Sequence, residues 1–390
     1  MNKTKFSLIA LLLSIGFLTL DFFQLNFNLG YDQSWAAYLE IDTIDLLLRY
    51  ILIFFLYIFV FLISYIFFEQ KIKTFNINTY EYSLYNLKLI NNISLLVLSS
   101  FATYNLFSIF NYGLLNFTIE VRAGLRSLGG LYYFTSIALL SSLICSISMK
   151  YKNWIFYLSL IIFSVYVLSS GFRNFFVFLI IYWYLFYHFE TKKIINIQVL
   201  SLFFLVVSLF YLFQYFRTDG EVGAYLVDIF NRTAPLSHSF VSDLNSDLFM
   251  PEFIVFNFFI PFLSIFSTLG GYEFINWNEV IVNESVFRDY MNWRGTYFNR
   301  ATGYAVNYFI YSYIVAGYGG LMFFSLIYIN MLLAAFLLLG NVKFWNFGLI
   351  IISSIFMGIV DSTIEAFILV QYVLIYYSFL VFLSWITNKI

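Results

Sequence analysis

The sequence predicts an all-α, polytopic integral membrane protein of about ten transmembrane helices (ten to twelve), with one large external loop. Three observations carry that expectation. Of the 390 residues, 62% are hydrophobic and only 11% are charged, too little charge to cover a soluble protein of this size. The apolar residues gather in runs of about 17 to 22, the length a helix needs to cross ~30 Å of hydrocarbon, and lack the alternation of a membrane barrel. Finally, the two kinds of cation fall at opposite ends of these runs.

Spans are expected at roughly 5–20, 46–67, 89–110, 129–149, 153–170, 174–189, 195–216, 319–339, 344–360 and 366–386. The opening run, MNKTKFSLIALLLSIGFLTLDFF, resembles a signal peptide. No small-x-small cleavage site precedes Asp21, so it reads as a retained first helix. Residues 1–216 then form an N-terminal bundle of seven spans, 217–318 the large external loop, and 319–390 a C-terminal set of three spans. The loop holds all three prolines, Pro235, Pro251 and Pro261, as suits irregular backbone outside the hydrocarbon. Two apolar runs inside it, 253–271 and 303–320, read as interfacial or re-entrant helices. As full spans they would raise the count to twelve and move 272–300 to the other face. No internal repeat is evident, which counts against the inverted-repeat transporters.

Lysine sets the orientation. With ten spans, Lys3, Lys5, Lys71, Lys73, Lys88, Lys150, Lys152, Lys192, Lys193, Lys343 and Lys389 all fall on one face, which the positive-inside rule makes cytoplasmic, together with both termini. The arginines do the reverse. Arg49, Arg122, Arg126, Arg173, Arg217, Arg232, Arg288, Arg294 and Arg300 lie at or near the external face. Codon bias does not sort two cations to opposite faces.

A guanidinium is a rigid fork that grips phosphate oxygens in pairs and stays charged at any working pH. An outward set of arginines against the membrane therefore suggests a pyrophosphate-bearing lipid. The alternative is pairing with acidic residues on the same face or with lipid headgroups. Arg173 is the sharpest case. Its flanking spans, of about 17 and 16 residues, reach only ~25 Å, so the hairpin tip SSGFRNFF should sit at or below the outer surface, where charge is costly. Arg122 and Arg126, in VRAGLRSLGG, are four apart and can share a helical face beside Gly129 and Gly130. RDYMNWRGTYFNR brings together Arg288, Arg294 and Arg300.

His238 is the one external histidine, and because imidazole as a side-chain type titrates near neutrality it is a candidate general base or else a hydrogen-bonded loop residue. Asp219, Glu221, Glu273, Asp361 and Glu365 are acidic alternatives. His188 reads as merely interfacial. Cys145, the single cysteine, reads as a small buried hydrophobe, which leaves no disulfide or thiolate cluster. There is no paired-carboxylate metal motif, no nucleotide-binding glycine loop and no G-x-S-x-G elbow. Neither metal nor cofactor is expected, so any reaction must use an already activated substrate.

In its span count, cytoplasmic termini, single late loop and arginine-rich external segments, the chain resembles the Wzy-type O-antigen or capsular repeat-unit polymerases, and more distantly the O-antigen ligases. SGFRNFF and NRATGYAVNYFIYSYIVAGYGGLMFF carry the local likeness. The resemblance implies a GT-C-like, metal-independent glycosyltransferase of the bacterial inner membrane, acting on its periplasmic side. Donor and acceptor would be glycans on undecaprenyl pyrophosphate, and a chain-length regulator in the membrane would be the protein partner; no nucleic acid is expected. On this reading Arg173, Arg294 and His238 are catalytic, while Arg122, Arg126, Arg217, Arg232, Arg288 and Arg300 bind substrate. Trp277, Trp293 and Tyr297 would stack on sugars or sit in an interfacial belt. A ligase using lipid A-core as acceptor, a flippase for the lipid-linked unit, and a regulatory membrane protein are the competing readings. A flippase calls for charge deep in several spans, and these spans are nearly free of it.

Overall fold

The computed structural model describes residues 85–110, 130–170, 174–191, 308–339, 345–360 and 363–387, with scattered helical positions between 48 and 66 and at 201, 204 and 208. Among the described residues the secondary structure is helical, with no strand. Seven helices carry it: α1 (Tyr85–Phe110), α2 (Gly130–Ser148), α3 (Trp154–Ser170), α4 (Asn174–Thr191), α5 (Tyr308–Leu339), α6 (Trp345–Val360) and α7 (Thr363–Thr387). Stretches of α1, α5 and α7 are long and apolar enough to cross a bilayer, and α2, α3, α4 and α6 are shorter apolar helices. The chain is a membrane protein, and its described part is all-α.

These helices follow from the solvent. Hydrocarbon offers backbone groups no partner, so an apolar run must satisfy its own N–H and C=O groups, and the α-helix does this within one segment. Seven of the runs expected from sequence coincide with the seven helices, ends agreeing within a few residues except at α5. The runs at 5–20, 46–67 and 195–216 lie wholly or largely outside the described residues, as does 217–307.

One boundary differs. The sequence reading places 303–318 in the external loop as an interfacial or re-entrant piece, with a span starting at 319. In the structure, α5 is a single helix of 32 residues from Tyr308, ~48 Å long. The helical ladder runs through Gly317, Gly319 and Gly320. The twelve-span alternative needed a reversal there, and an unbroken helix crosses a bilayer once.

By its internal contacts the chain divides into two compact units. One comprises Met1–Thr74, Gly223–Ala334 and Gly358–Ile368; the other comprises Phe75–Val222, Ala335–Met357 and Leu369–Ile390. The described part of the second unit has α1 packed on α2 and α3, and α2 on α3 and α4. Its core is apolar, from Leu95 and Ala102 through Leu139, Leu143 and Phe163 to Phe178 and Ile350, all fully buried. Apolar packing alone gives lipid-embedded helices little reason to choose one another, because lipid tails are as apolar as leucine.

Hydrogen bonds across the helices supply the choice. Asn91 of α1, fully buried, donates from Nδ2 to the Ser142 carbonyl at 3.1 Å and to Ser146 Oγ at 2.7 Å, both on α2. One turn on, Ser94 Oγ shares hydrogen bonds with Ser142 Oγ at 3.0 Å and with the Tyr376 hydroxyl of α7 at 2.7 Å. Ser99 Oγ donates to Ser159 Oγ of α3 at 2.9 Å, and Asn105 Nδ2 donates to the Tyr166 hydroxyl at 3.0 Å. The Tyr182 hydroxyl of α4 donates to Asn346 Oδ1 of α6. Each such bond contributes ~0.6 kcal/mol in a membrane, rarely above ~1.7.

The α5–α6 hairpin uses closeness instead. A Cβ added at Gly348 would lie 2.5 Å from the Ala335 carbonyl oxygen and 2.9 Å from the Leu339 nitrogen. Both are backbone atoms and cannot swing aside. Around Gly319 there is nothing within 4 Å. Gly348→Ala should therefore destabilise the protein by ~1–3 kcal/mol, whereas Gly319→Ala should be neutral or gain up to ~1 kcal/mol from helix propensity. Thermal unfolding of the two variants in the same nanodiscs checks the contrast, and equal melting temperatures would contradict it.

Candidate functional site

The second unit has two chemically different ends. At one end α1 begins, α2 ends, α3 begins and α4 ends. The α2–α3 connection is built closely. Tyr151 N–H donates to the Ser146 carbonyl and Lys150 N–H to the Ile147 carbonyl, both at 3.0 Å, the crossed pair that closes a helix on a left-handed residue. That residue is Lys150, with φ of 54°, where glycine would be the usual choice. Its ammonium reaches Glu190 on α4 at 2.7 Å. Asn153 caps α3 by accepting from the Phe156 N–H at 3.0 Å, and its amide donates to Asn92 of α1 at 3.3 Å.

Lys152 extends the same attachment. Its ammonium donates to the Tyr187 hydroxyl at 2.7 Å and lies 4.7 Å from the centroid of the Trp183 ring and 4.6 Å from that of Tyr187. Trp183 and Tyr187 stand one turn apart on α4 and form a two-ring seat for the cation, worth ~0.5–2 kcal/mol. Lys88 sits over the Tyr151 ring at 5.4 Å. Three of the expected inward-facing lysines thus share one end of the unit. His188 belongs to this end as well, stacked on Tyr184 at 6.2 Å.

At the opposite end α1 finishes at Phe110, α2 begins at Gly130, α3 finishes at Ser170 and α4 begins at Asn174. The segment with Arg122 and Arg126 links the first two in the chain, and the segment with Arg173 links the last two. Both therefore leave the bundle from the end away from Lys88, Lys150 and Lys152. The hairpin is short, with 17 residues in α3 and 18 in α4, ~25–27 Å against a hydrocarbon thickness of ~30 Å.

No family model, curated protein or solved structure matches the chain. Its chemistry must be read from its own residues. The expected site residues Arg122, Arg126, Arg173, Arg217, Arg232, Arg288, Arg294, Arg300 and His238 all lie outside the described residues, as do Arg49, the acidic alternatives Asp219, Glu221, Glu273 and Asp361, and the aromatics Trp277, Trp293 and Tyr297. Glu365 falls in the first turn of α7. The structure supplies the frame for Arg122, Arg126 and Arg173: four helix ends gathered at one side of one unit.

Just inside that end lies a polar group that sequence reading did not single out. The Tyr166 hydroxyl of α3 accepts from Asn105 of α1 and has Thr135 of α2 as a second hydrogen-bonding neighbour. The Tyr132 ring of α2 packs on the Tyr166 ring with centroids 4.8 Å apart. All four residues are buried in the bundle. A scattered Asn, Thr and two Tyr give no local signal in a chain with 33 tyrosines; only the packing unites them.

The two ends can be told apart chemically. Cys145 is fully buried and provides a silent background for thiol labelling. A cysteine replacing exposed Thr191, at the end of α4, should be inaccessible to an impermeant maleimide on intact cells. One replacing Arg173, before the start of α4, should be labelled. Labelling of both or the reverse pattern would contradict the assigned orientation.

Proposed function

We propose that the protein is a repeat-unit polymerase of the bacterial inner membrane. It extends a glycan held on undecaprenyl pyrophosphate by one repeat unit at a time, at the periplasmic face, within a frame of about ten spans and a large loop between residues 217 and 307. One observation supports this reading above the others. The four-helix frame α1–α4 gathers its lysines at one end, while the segments bearing Arg122, Arg126 and Arg173 leave from the other.

The chemistry follows from that polarity. A hydroxyl of the acceptor sugar attacks the anomeric carbon of the donor, forming the new glycosidic C–O bond. The bond from that carbon to the pyrophosphate oxygen breaks, and the pyrophosphate departs with the electron pair. His238 or an external carboxylate takes the hydroxyl proton. Arg173 and Arg294 neutralise charge building on the leaving group, and Arg122, Arg126, Arg217, Arg232, Arg288 and Arg300 hold the pyrophosphates and glycan of the two substrates. A donor aimed at developing charge in a low-dielectric site contributes ~3 kcal/mol, or ~10²-fold in rate. The lipid-linked donor is already activated, so no nucleotide is consumed.

Deletion of the gene should collapse the polysaccharide ladder to core bearing a single repeat unit. A bare core would identify a ligase instead. Arg173→Ala and Arg294→Ala, at normal protein level, should each reduce polymer yield ~10²-fold. Full-length ladders from both variants would refute a pyrophosphate site built on these arginines.

A further inference from the structure

We infer that the Tyr166 hydroxyl is a positioning group for the proposed transferase site, a role that rests on the polymerase reading. Two connections bear Arg122, Arg126 and Arg173, and three of the four helix ends that hold them meet at this one hydroxyl. Asn105, five residues before the last residue of α1, donates to it at 3.0 Å. Thr135, five residues into α2 from its first, is its second hydrogen-bonding neighbour. Tyr166 itself stands four residues before the end of α3 and seven before Arg173.

A helix transmits axial shift and rotation rigidly over so short a distance, one to two turns. The bonds at Tyr166 therefore fix the height and rotation of the α3 terminus relative to those of α1 and α2. They fix, in turn, the helix ends from which the segments with Arg173 and with Arg122 and Arg126 leave. Two guanidinium-bearing segments that must close on one pyrophosphate need such a common reference, since misplacement by ~1 Å costs ~10²-fold in rate. The packing of Tyr132 against the Tyr166 ring holds the phenol in line and leaves its hydroxyl as the separable element.

The same helix pair offers an internal control. Ser99 of α1 donates to Ser159 of α3 at 2.9 Å, again a buried hydrogen bond between α1 and α3, but one or more turns deeper in the bundle. A merely structural role makes Tyr166→Phe and Ser99→Ala equivalent. A positioning role separates them.

The test uses the full-length protein in nanodiscs and lipid-linked repeat unit extracted from the deletion strain. Tyr166→Phe and Asn105→Ala, each removing one side of the bond, should lower kcat for the lipid-linked unit at least fivefold with KM within twofold. Ser99→Ala should leave both within twofold of wild type. Asn105→Ala keeps the phenol in place, so it answers the question even if Tyr166→Phe folds poorly. Equal kinetic effects from Ser99→Ala and the Asn105 or Tyr166 variants, or no effect from the latter, would overturn the positioning role while leaving the polymerase reading intact. A wild-type protein that cannot extend the lipid-linked unit at all would overturn both.

Discussion

Asn91 occupies the position on which the described architecture most depends. Its carboxamide is fully buried, bridges α1 to two positions on α2, and leaves Oδ1 without a hydrogen-bond partner among the described residues. In a bilayer the apolar surfaces of α1 and α2 would be as well solvated by lipid as by each other, so apolar contact alone does not select this pairing. An amide carried into hydrocarbon without a partner costs several kcal/mol, and only a facing helix with Ser142 and Ser146 at the right height relieves it. The rungs that follow at Ser94, Ser99 and Asn105 extend the same demand along α1 and recruit α7 and α3. Register among the helices is thus set by polar atoms within an apolar medium.

From that register come the two unlike ends. Once α1 to α4 are aligned, the α2–α3 connection meets the C-terminal turns of α4, where Glu190, Tyr187 and Trp183 receive Lys150 and Lys152. The cations there are engaged by partners of the same unit. At the other end the helices stop over Asn105, Thr135, Tyr132 and Tyr166, and the connections emerging from them carry Arg122, Arg126 and Arg173. A lysine end tied down by aromatics, and an opposite end from which the connections bearing Arg122, Arg126 and Arg173 leave, are the two features on which the proposed function rests.

How much of this the chain declared in advance depends on the range of each signal. Apolar runs are local, and α2, α3, α6 and α7 could be located within a few residues because length and hydrophobicity alone decide a helix in lipid. At α5 the same logic finds the stretch able to cross a bilayer, Tyr318–Leu339, but not the start of the helix at Tyr308, since glycines at 317, 319 and 320 punctuate a soluble helix but are tolerated in a membrane one. The sharing of one end by Lys88, Lys150 and Lys152 was legible from parity of crossings, which needs only a count. The bonds of Asn91 to Ser146 and of Asn105 to Tyr166 join residues 55 and 61 positions apart. Nothing in a single sequence rich in serine, asparagine and tyrosine specifies such pairs. The left-handed Lys150 was hidden for a related reason: a non-glycine cap gives no local warning.

The claim that polar rungs on α1 hold the unit together is most directly tested by a double-mutant cycle on Asn91→Ala and Ser146→Ala, with unfolding free energies measured in a lipid bilayer. The account expects the two substitutions to be non-additive, with a coupling of ~0.6–1.7 kcal/mol. Additive effects with no measurable coupling would contradict it and leave apolar packing as the force that pairs α1 with α2.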